Sequence, residues 1–187
     1  TENANKFYSE IVPPIFIHDE YDNKITDEFM KRQKQLKKRI VGGEKEIDNR
    51  AFLIMDDCLY DNDWKKDKRI REIFMNGRHW GILFILIMQY AIGIPPNLRS
   101  NIDYVFLLRE SSYQNRKKLY ENFAGMFNTF DMFCQTMDAC TEDYGCLVIH
   151  LLSKSNKTGC LISHISSSFS LDGSSTSYIS KSSPVFR

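Results

Sequence analysis

Phe52-Leu53-Ile54-Met55-Asp56-Asp57 runs four apolar residues straight into two adjacent carboxylates. A short apolar run of this kind, starting at Ala51, predicts a buried strand whose end opens into a polar site. A second run, Ile-Leu-Phe-Ile-Leu-Ile-Met over 82–88, shows no polar alternation. It predicts a strand buried on both faces, as in the middle of a parallel sheet, with Gln89 at its exit. Between the two, Asp63 is placed to cap a helix in which Ile70, Ile73 and Phe74 fall at i, i+3, i+4, and Asn76-Gly77 supplies the stop. On the N-terminal side, the spacing predicts a helix over 24–41. Thr26 stands as its N-cap and Asp27 and Glu28 in its first turn; Lys31, Arg32, Lys34, Lys37, Lys38 and Arg39 surround a thin stripe of Phe29, Leu36 and Ile40 before Gly42-Gly43. On the C-terminal side come a strand over 104–108, helices over 113–123 and 129–139, and a last strand over 146–152. This order predicts an α/β domain with a doubly wound, mostly parallel sheet and ligands outside the carboxyl ends of the strands. Asp56, Asp57 and Gln89 all fall at such ends.

The 187 residues suffice for one globular domain, and 42% apolar content rules out a wholly disordered chain. Twenty-five Lys and Arg against 24 Asp and Glu leave a net charge of +1, so any basic surface is local. The longest apolar run, 81–88, is less than half the roughly 20 residues of a membrane helix. The first residues are polar and unlike a signal peptide, so the sequence reads as soluble and not secreted. Five cysteines, an odd number, read as thiols; Cys134, Cys140 and Cys146 recur every six residues, a spacing zinc sites do not favour. Over 161–187, eleven of 27 residues are serine, and such a stretch buries too little apolar surface to offset its ordering entropy. The expected organisation is therefore a domain over 1–160 and a flexible tail over 161–187.

The acidic pair has the form of a Walker B motif. Nucleotide hydrolysis needs one carboxylate to hold magnesium, usually through water, and a second acid to orient or deprotonate the attacking water. Asp56 suits the first role and Asp57 the second. Taken alone, such pairs also serve as ordinary turn or N-cap residues, and paired carboxylates also serve metal-dependent nucleases. Gln89, at the end of the next strand, is an uncharged side chain able to sense the terminal phosphate or position water.

Three longer stretches are more specific: FLIMDDCLYDNDWKKDKRIREIFMNGRHW from Phe52, MQYAIGIPPNLRSNIDYVFLLRE from Met88, and NRKKLYENFAGMFNTFDMFCQTMD from Asn115. With the segment between about Phe7 and Asn156, they resemble the virion DNA-packaging ATPases of nucleocytoplasmic large DNA viruses, poxvirus-like members of the FtsK/HerA group of P-loop NTPases. The resemblance implies a P-loop NTPase-like fold of the additional-strand class and ATP hydrolysis driving double-stranded viral DNA into a capsid. It implies ATP and Mg2+ as cofactors, a homo-oligomeric ring, and capsid or membrane-associated virion assembly proteins as partners, in the host cytoplasm or the virion. By position it makes Asp56 the magnesium-associated aspartate, Asp57 the catalytic acid and Gln89 the sensor. Ring ATPases of this kind complete the site with an arginine from a neighbouring subunit; Arg99 is the candidate, with Arg78 and Arg109 as rivals.

The departures from that family matter too. No G-x-x-x-x-G-K-[ST] occurs in the 187 residues, so the loop that cradles the phosphates and the strand before it are expected upstream of Thr1. Beyond Asn156 the resemblance stops, and Ala91 and Asn128 stand where proline is expected. The alternative is a truncated or decayed relative acting at most as an interaction module. The basic run of 31–39 reads first as a solvated helix face, with contact to the DNA backbone as the lesser alternative.

Overall fold

The computed structural model describes residues 8–56, 63–89, 93–151, 162–168 and 176–180. The elements are α1 (Asn23–Val41), β1 (Ala51–Asp56), α2 (Asp63–Lys66), α3 (Lys68–Asn76), β2 (Ile82–Ile87), α4 (Pro96–Arg99), β3 (Tyr104–Leu107), α5 (Tyr113–Phe123), α6 (Phe130–Cys140), β4 (Cys146–His150), β5 (Ile162–Ser168) and β6 (Thr176–Ser180). Short 3-10 turns occupy Pro14–Phe16, Gly77–Trp80 and Glu142–Tyr144. The chain divides into two units, the first holding Thr1–Gln89 and Gly93–Leu98, the second Tyr90–Ile92 and Arg99–Arg187.

In the first unit β1 and β2 run parallel, paired from Ala51 opposite Ile82 to Asp56 opposite Ile87. Met30 of α1, Met55, Trp64, Ile70, Ile73 and Ile82 form the core, with Leu53, Phe84 and Leu86 packed against it. α1 starts earlier than its sequence suggests. Asp22, not Thr26, is the N-cap, its carboxylate accepting from the Lys24 amide at 2.8 Å. Thr26 is buried instead, and its hydroxyl lies 2.7 Å from Asp67 Oδ2. Asp67 also caps α3 through the Arg69 amide at 2.8 Å and accepts from the Tyr21 hydroxyl. Burial, then the bond to Asp67, pushes the Tyr21 phenol well above its ordinary value.

Gln33 is the buried polar centre of this unit. Its Nε2 donates to the Asn49 carbonyl at 2.7 Å and to the Trp80 carbonyl at 2.9 Å, while its Oε1 accepts from Arg32 Nη1 at 2.6 Å. One amide thus ties α1 to the residues leading into both strands. Next to Trp80, Gly81 has φ +70°, and a Cβ there would meet the Asn49 carbonyl oxygen at 3.0 Å. Its own carbonyl accepts from the Ala51 amide at 3.0 Å, the rung that begins the β1–β2 register.

Burial on both faces, expected for 82–88, is not what the unit has. Leu83, Ile85 and Ile87 are 61%, 39% and 43% exposed, and Phe52, opposite Leu83, is 51% exposed. An apolar run without alternation carries no information on whether its second face is covered. Here α1 and α3 cover one face only among the described residues.

In the second unit β3 pairs antiparallel with β4, β4 with β5 and β5 with β6, giving the order β3-β4-β5-β6. The mixed α/β class is as expected, and parallel pairing among the described strands is confined to β1–β2. Leu107, Ala124, Phe127, Phe133, Met137, Leu147 and Ile149 form the core. Phe133 packs edge-on to Phe127, with ring centroids 5.5 Å apart. Ser112 and Thr129 cap α5 and α6 through side-chain oxygens. Cys134, Cys140 and Cys146 are free thiols, and burial, then Cys146, pushes Cys140 up. Within the serine-rich stretch expected to be a flexible end, β5 instead pairs along the open edge of β4, with Ile165 opposite Cys146 and Ile162 opposite Ile149. Edge amides and carbonyls accept any backbone in register, serine included; apart from β5 and β6, the residues of 161–187 lie outside the described residues.

Two substitutions test the centre of the first unit. Gly81→Ala places a Cβ in a left-handed backbone and is expected to lower unfolding free energy by about 1–3 kcal/mol. Gln33→Leu, nearly the same size, leaves the Asn49 and Trp80 carbonyls without their donor, at about 1–3 kcal/mol for each buried group. Urea midpoints at constant m-value measure both, and unchanged midpoints contradict the assignment.

Candidate functional site

Residues paired across a parallel ladder share a face, so alternation along β1 and β2 sorts their side chains. Phe52, Ile54 and Asp56 fall on one face with Leu83, Ile85 and Ile87, and it is the face that α1 leaves open. Asp56 closes β1 at its carboxyl end and is exposed. Gln89 stands two residues beyond Ile87, the partner of Asp56, and is also exposed. Neighbouring strands lie about 4.8 Å apart, so Asp56 and the segment leading to Gln89 leave the sheet side by side. Asp56 and Ile87 thus stand opposite each other where both strands end, two residues before Gln89. Asp57 lies outside the described residues.

A residue that local sequence did not single out reaches the same edge. The Tyr8 hydroxyl donates to Asp56 Oδ2 at 3.2 Å, across 48 positions of sequence. Partial burial first, then the Asp56 charge and the bond to it, raise the Tyr8 phenol above its ordinary value. No motif or periodicity marks this contact in the sequence; only the folded chain brings the two together. Asp56 offers a carboxylate, the oxygen donor magnesium takes, and the Tyr8 hydroxyl is its hydrogen-bond donor. Magnesium is usually held by one or two carboxylates, several waters and substrate phosphate, without an all-protein cage. No group of three or more His, Cys, Asp or Glu among the described residues is placed to hold a metal.

The three arginines fall in different settings. Arg99 ends α4, belongs to the second unit, is partly buried, and donates through Nη1 to Asn122 Oδ1 on α5. Asn122 in turn donates to the Lys118 carbonyl at 2.8 Å. Arg78 lies exposed in the turn before β2, within the unit that holds Asp56. Arg109 is exposed just after β3.

A shallow depression of about 390 Å³ is lined by Asn23, Asp27, Lys66, Asp67, Lys68 and Arg69, and includes neither Asp56 nor Gln89. Its charges largely answer one another. Asp27 pairs with Lys31 at 2.6 Å and Arg69 at 2.7 Å, and these two cations hold its carboxyl below the usual range. The depression is a clasp between the starts of α1 and α3. No helix among the described residues is long and apolar enough to cross a membrane.

No family model matches the chain. The chain is 42% identical over 156 residues to "Uncharacterized protein 075L" of Invertebrate iridescent virus 6, covering 83% of this chain and 58% of the relative. It is 42% identical over 155 residues to "Uncharacterized protein L437" of Acanthamoeba polyphaga mimivirus, covering 80% and 54%. With "Uncharacterized protein 015R" of Frog virus 3 it shares 34% over 149 residues, covering 80% and 45%. The chain therefore spans about half the length of the curated relatives it matches. Among solved structures it is similar to the genome packaging NTPase B204 of Sulfolobus turreted icosahedral virus 2 in complex with ATP-gammaS, at 19% identity and a TM-score of 0.48, covering 72% of this chain and 62% of that one. At sequence level, this chain is similar to proteins of iridescent viruses, a mimivirus and a frog virus.

Proposed function

We propose that this chain supplies the acid and sensor side of an ATP-driven motor that moves double-stranded viral DNA into a capsid. The observation that carries the reading is the parallel β1–β2 pair, which delivers Asp56 and the approach to Gln89 to one open sheet edge. The extended sequence resemblance and the viral relatives support it. In this reading Asp56 holds magnesium through water, and bound magnesium would offset charge on the nucleotide phosphates. Asp57 orients or deprotonates the attacking water, and the Gln89 amide holds that water or the terminal phosphate. The Tyr8 hydroxyl fixes the orientation of the Asp56 carboxylate. Arg99 is the residue offered to the nucleotide of a neighbouring subunit in a homo-oligomeric ring, which requires it to exchange Asn122 for phosphate. Arg78 and Arg109 are the alternatives. The phosphate-cradling loop comes from sequence outside the 187 residues, and the site of action is the host cytoplasm or the assembling virion, with capsid or membrane-associated assembly proteins as neighbours.

Two measurements test this. The coding sequence upstream of Thr1 is expected to hold an in-frame G-x-x-x-x-G-K-[ST], whereas stop codons there favour the alternative, a non-catalytic relative that docks with intact subunits. In the chain extended to include that loop, Asp57→Asn is expected to lower kcat by about 100-fold or more, the contribution typical of a positioned acid or base. Nucleotide binding should change little. The 187 residues alone are expected to show no turnover above that of their own Asp57→Asn variant. Turnover in the extended chain that is indifferent to Asp57 removes the proposed role.

A further inference from the structure

α1 has two faces of different character. Thr26, Met30 and Gln33 are buried, while Lys31, Arg32, Gln35, Lys38 and Arg39 are all exposed. Those five fall at i, i+1, i+4, i+7 and i+8, a single stripe on a helix. Four of the five are cations, and no acidic residue occurs between Glu28 and Glu44. From Lys31 to Arg39 the stripe is about 12 Å long.

The fold alone does not account for this arrangement. Soluble surfaces intersperse both signs, and like charges at i, i+4, such as Lys34 and Lys38, oppose helix formation. The helix dipole favours Lys38 and Arg39 in the last turn. It does not favour Lys31 and Arg32, two turns nearer the positive end. Lys31 is paired at 2.6 Å with Asp27, a half-buried carboxylate that Arg69 shares at 2.7 Å, and Arg39 is paired with Glu44 at 2.6 Å at the surface. Exposed pairs such as Arg39–Glu44 contribute little to stability and are screened by salt. Arg32 and Lys38 have no carboxylate partner among the described residues; Arg32 donates only to the neutral Gln33 amide oxygen.

We propose that the Lys31, Arg32, Lys38 and Arg39 face of α1 is a sequence-independent docking surface for the backbone of duplex DNA. A duplex presents about seven phosphates along 12 Å of its axis, more than enough for four cations in a row. An anionic bilayer fits less well. Basic amphipathic helices bind membranes by inserting their apolar face, and the apolar face of α1 is buried against Met55, Ile70 and Ile82. The inference rests on the packaging reading only in its choice of partner and requires neither nucleotide nor Asp57.

The test uses the full chain without nucleotide and a fluorescent duplex, with anisotropy followed between about 50 and 200 mM salt. Arg32→Ala/Lys38→Ala removes the two cations that make no in-chain ion pair, and circular dichroism confirms that the helix content is retained. The slope of log affinity against log salt is expected to fall by about 1.8, or 0.9 for each lost phosphate contact. Lys117→Ala/Lys118→Ala on α5 is expected to leave the slope unchanged. A wild-type slope in the α1 double variant overturns the inference while leaving the packaging reading intact. Failure of the wild-type chain to bind duplex at the lowest salt overturns the inference and counts against DNA as the partner. Binding to phosphatidylserine vesicles in place of duplex assigns the face to a membrane and overturns it as well.

Discussion

The hydrogen bonds of Gln33 are the constraint on which the first unit rests. A buried amide must find partners for both its protons, since an unpaired polar group in a core is costly. Gln33 finds them in two backbone carbonyls, Asn49 just before β1 and Trp80 just before β2. Both strands therefore start from points fixed to the same side chain. Gly81 then permits the left-handed turn that brings its carbonyl to the Ala51 amide. From that first rung the register runs to Asp56 opposite Ile87 without a bulge. A slip of one residue would move Asp56 to the opposite face, toward Met30 and the core. The chemistry available at the carboxyl end of the sheet is thus set at its amino end, by a glutamine five rungs away.

The open face carries a second consequence. Phe52, Leu83, Ile85 and Ile87 form an apolar strip on the same side of the sheet as Asp56. Burial of that strip would place the Asp56 carboxylate at the border of a region of low dielectric, where its attraction to cations strengthens. Asp56 and its bond to Tyr8 are therefore sensitive to whatever contacts the face beside them. Arg99 differs, because its partner Asn122 lies within the second unit. A catalytic use of Arg99 requires that bond to be broken, whereas Arg78 and Arg109 stand exposed.

Much of this was legible in the sequence, for definite physical reasons. Apolar runs bounded by Asp, Gln and Gly mark β1 and β2, and apolar residues at helical spacing behind Ser112 and Thr129 mark α5 and α6. Asp56 at a strand end follows directly from the abrupt change from Met55 to carboxylate. Other features depend on contacts that no local pattern encodes. Gln33 sits in a basic helix and reads as solvated, because its partners are 16 and 47 residues away. Thr26 has the form of an N-cap, yet its hydroxyl meets Asp67 and the helix begins at Asn23. The same blindness hides Tyr8 at Asp56. Strand direction is equally silent: the residues of 104–107 and 146–150 carry apolar character but no sign of whether they run parallel, and they pair antiparallel. Asp57 lies outside the described residues, so its partnership with Asp56 rests on adjacency in sequence.

The two faces of α1 divide the work of the first unit between two sets of side chains. Its inner face, through Met30 and Gln33, fixes the sheet and with it the position of Asp56. Its outer face is exposed, and of the stripe Arg32 alone bonds to that centre, through Gln33 Oε1. Electrostatic self-repulsion along the stripe is opposed at its ends by Asp27 and Glu44, both of which are held ionised by their cation partners. As pH falls through the lowered carboxyl values those acids become neutral, the pairs of Asp27 with Lys31 and Arg69 and of Glu44 with Arg39 are lost, and the stripe gains net positive charge while the clasp between α1 and α3 loosens. Charge on the outer face is therefore coupled to the inner one at the two points that these bonds define, Arg32 on Gln33 and Asp27 on Arg69.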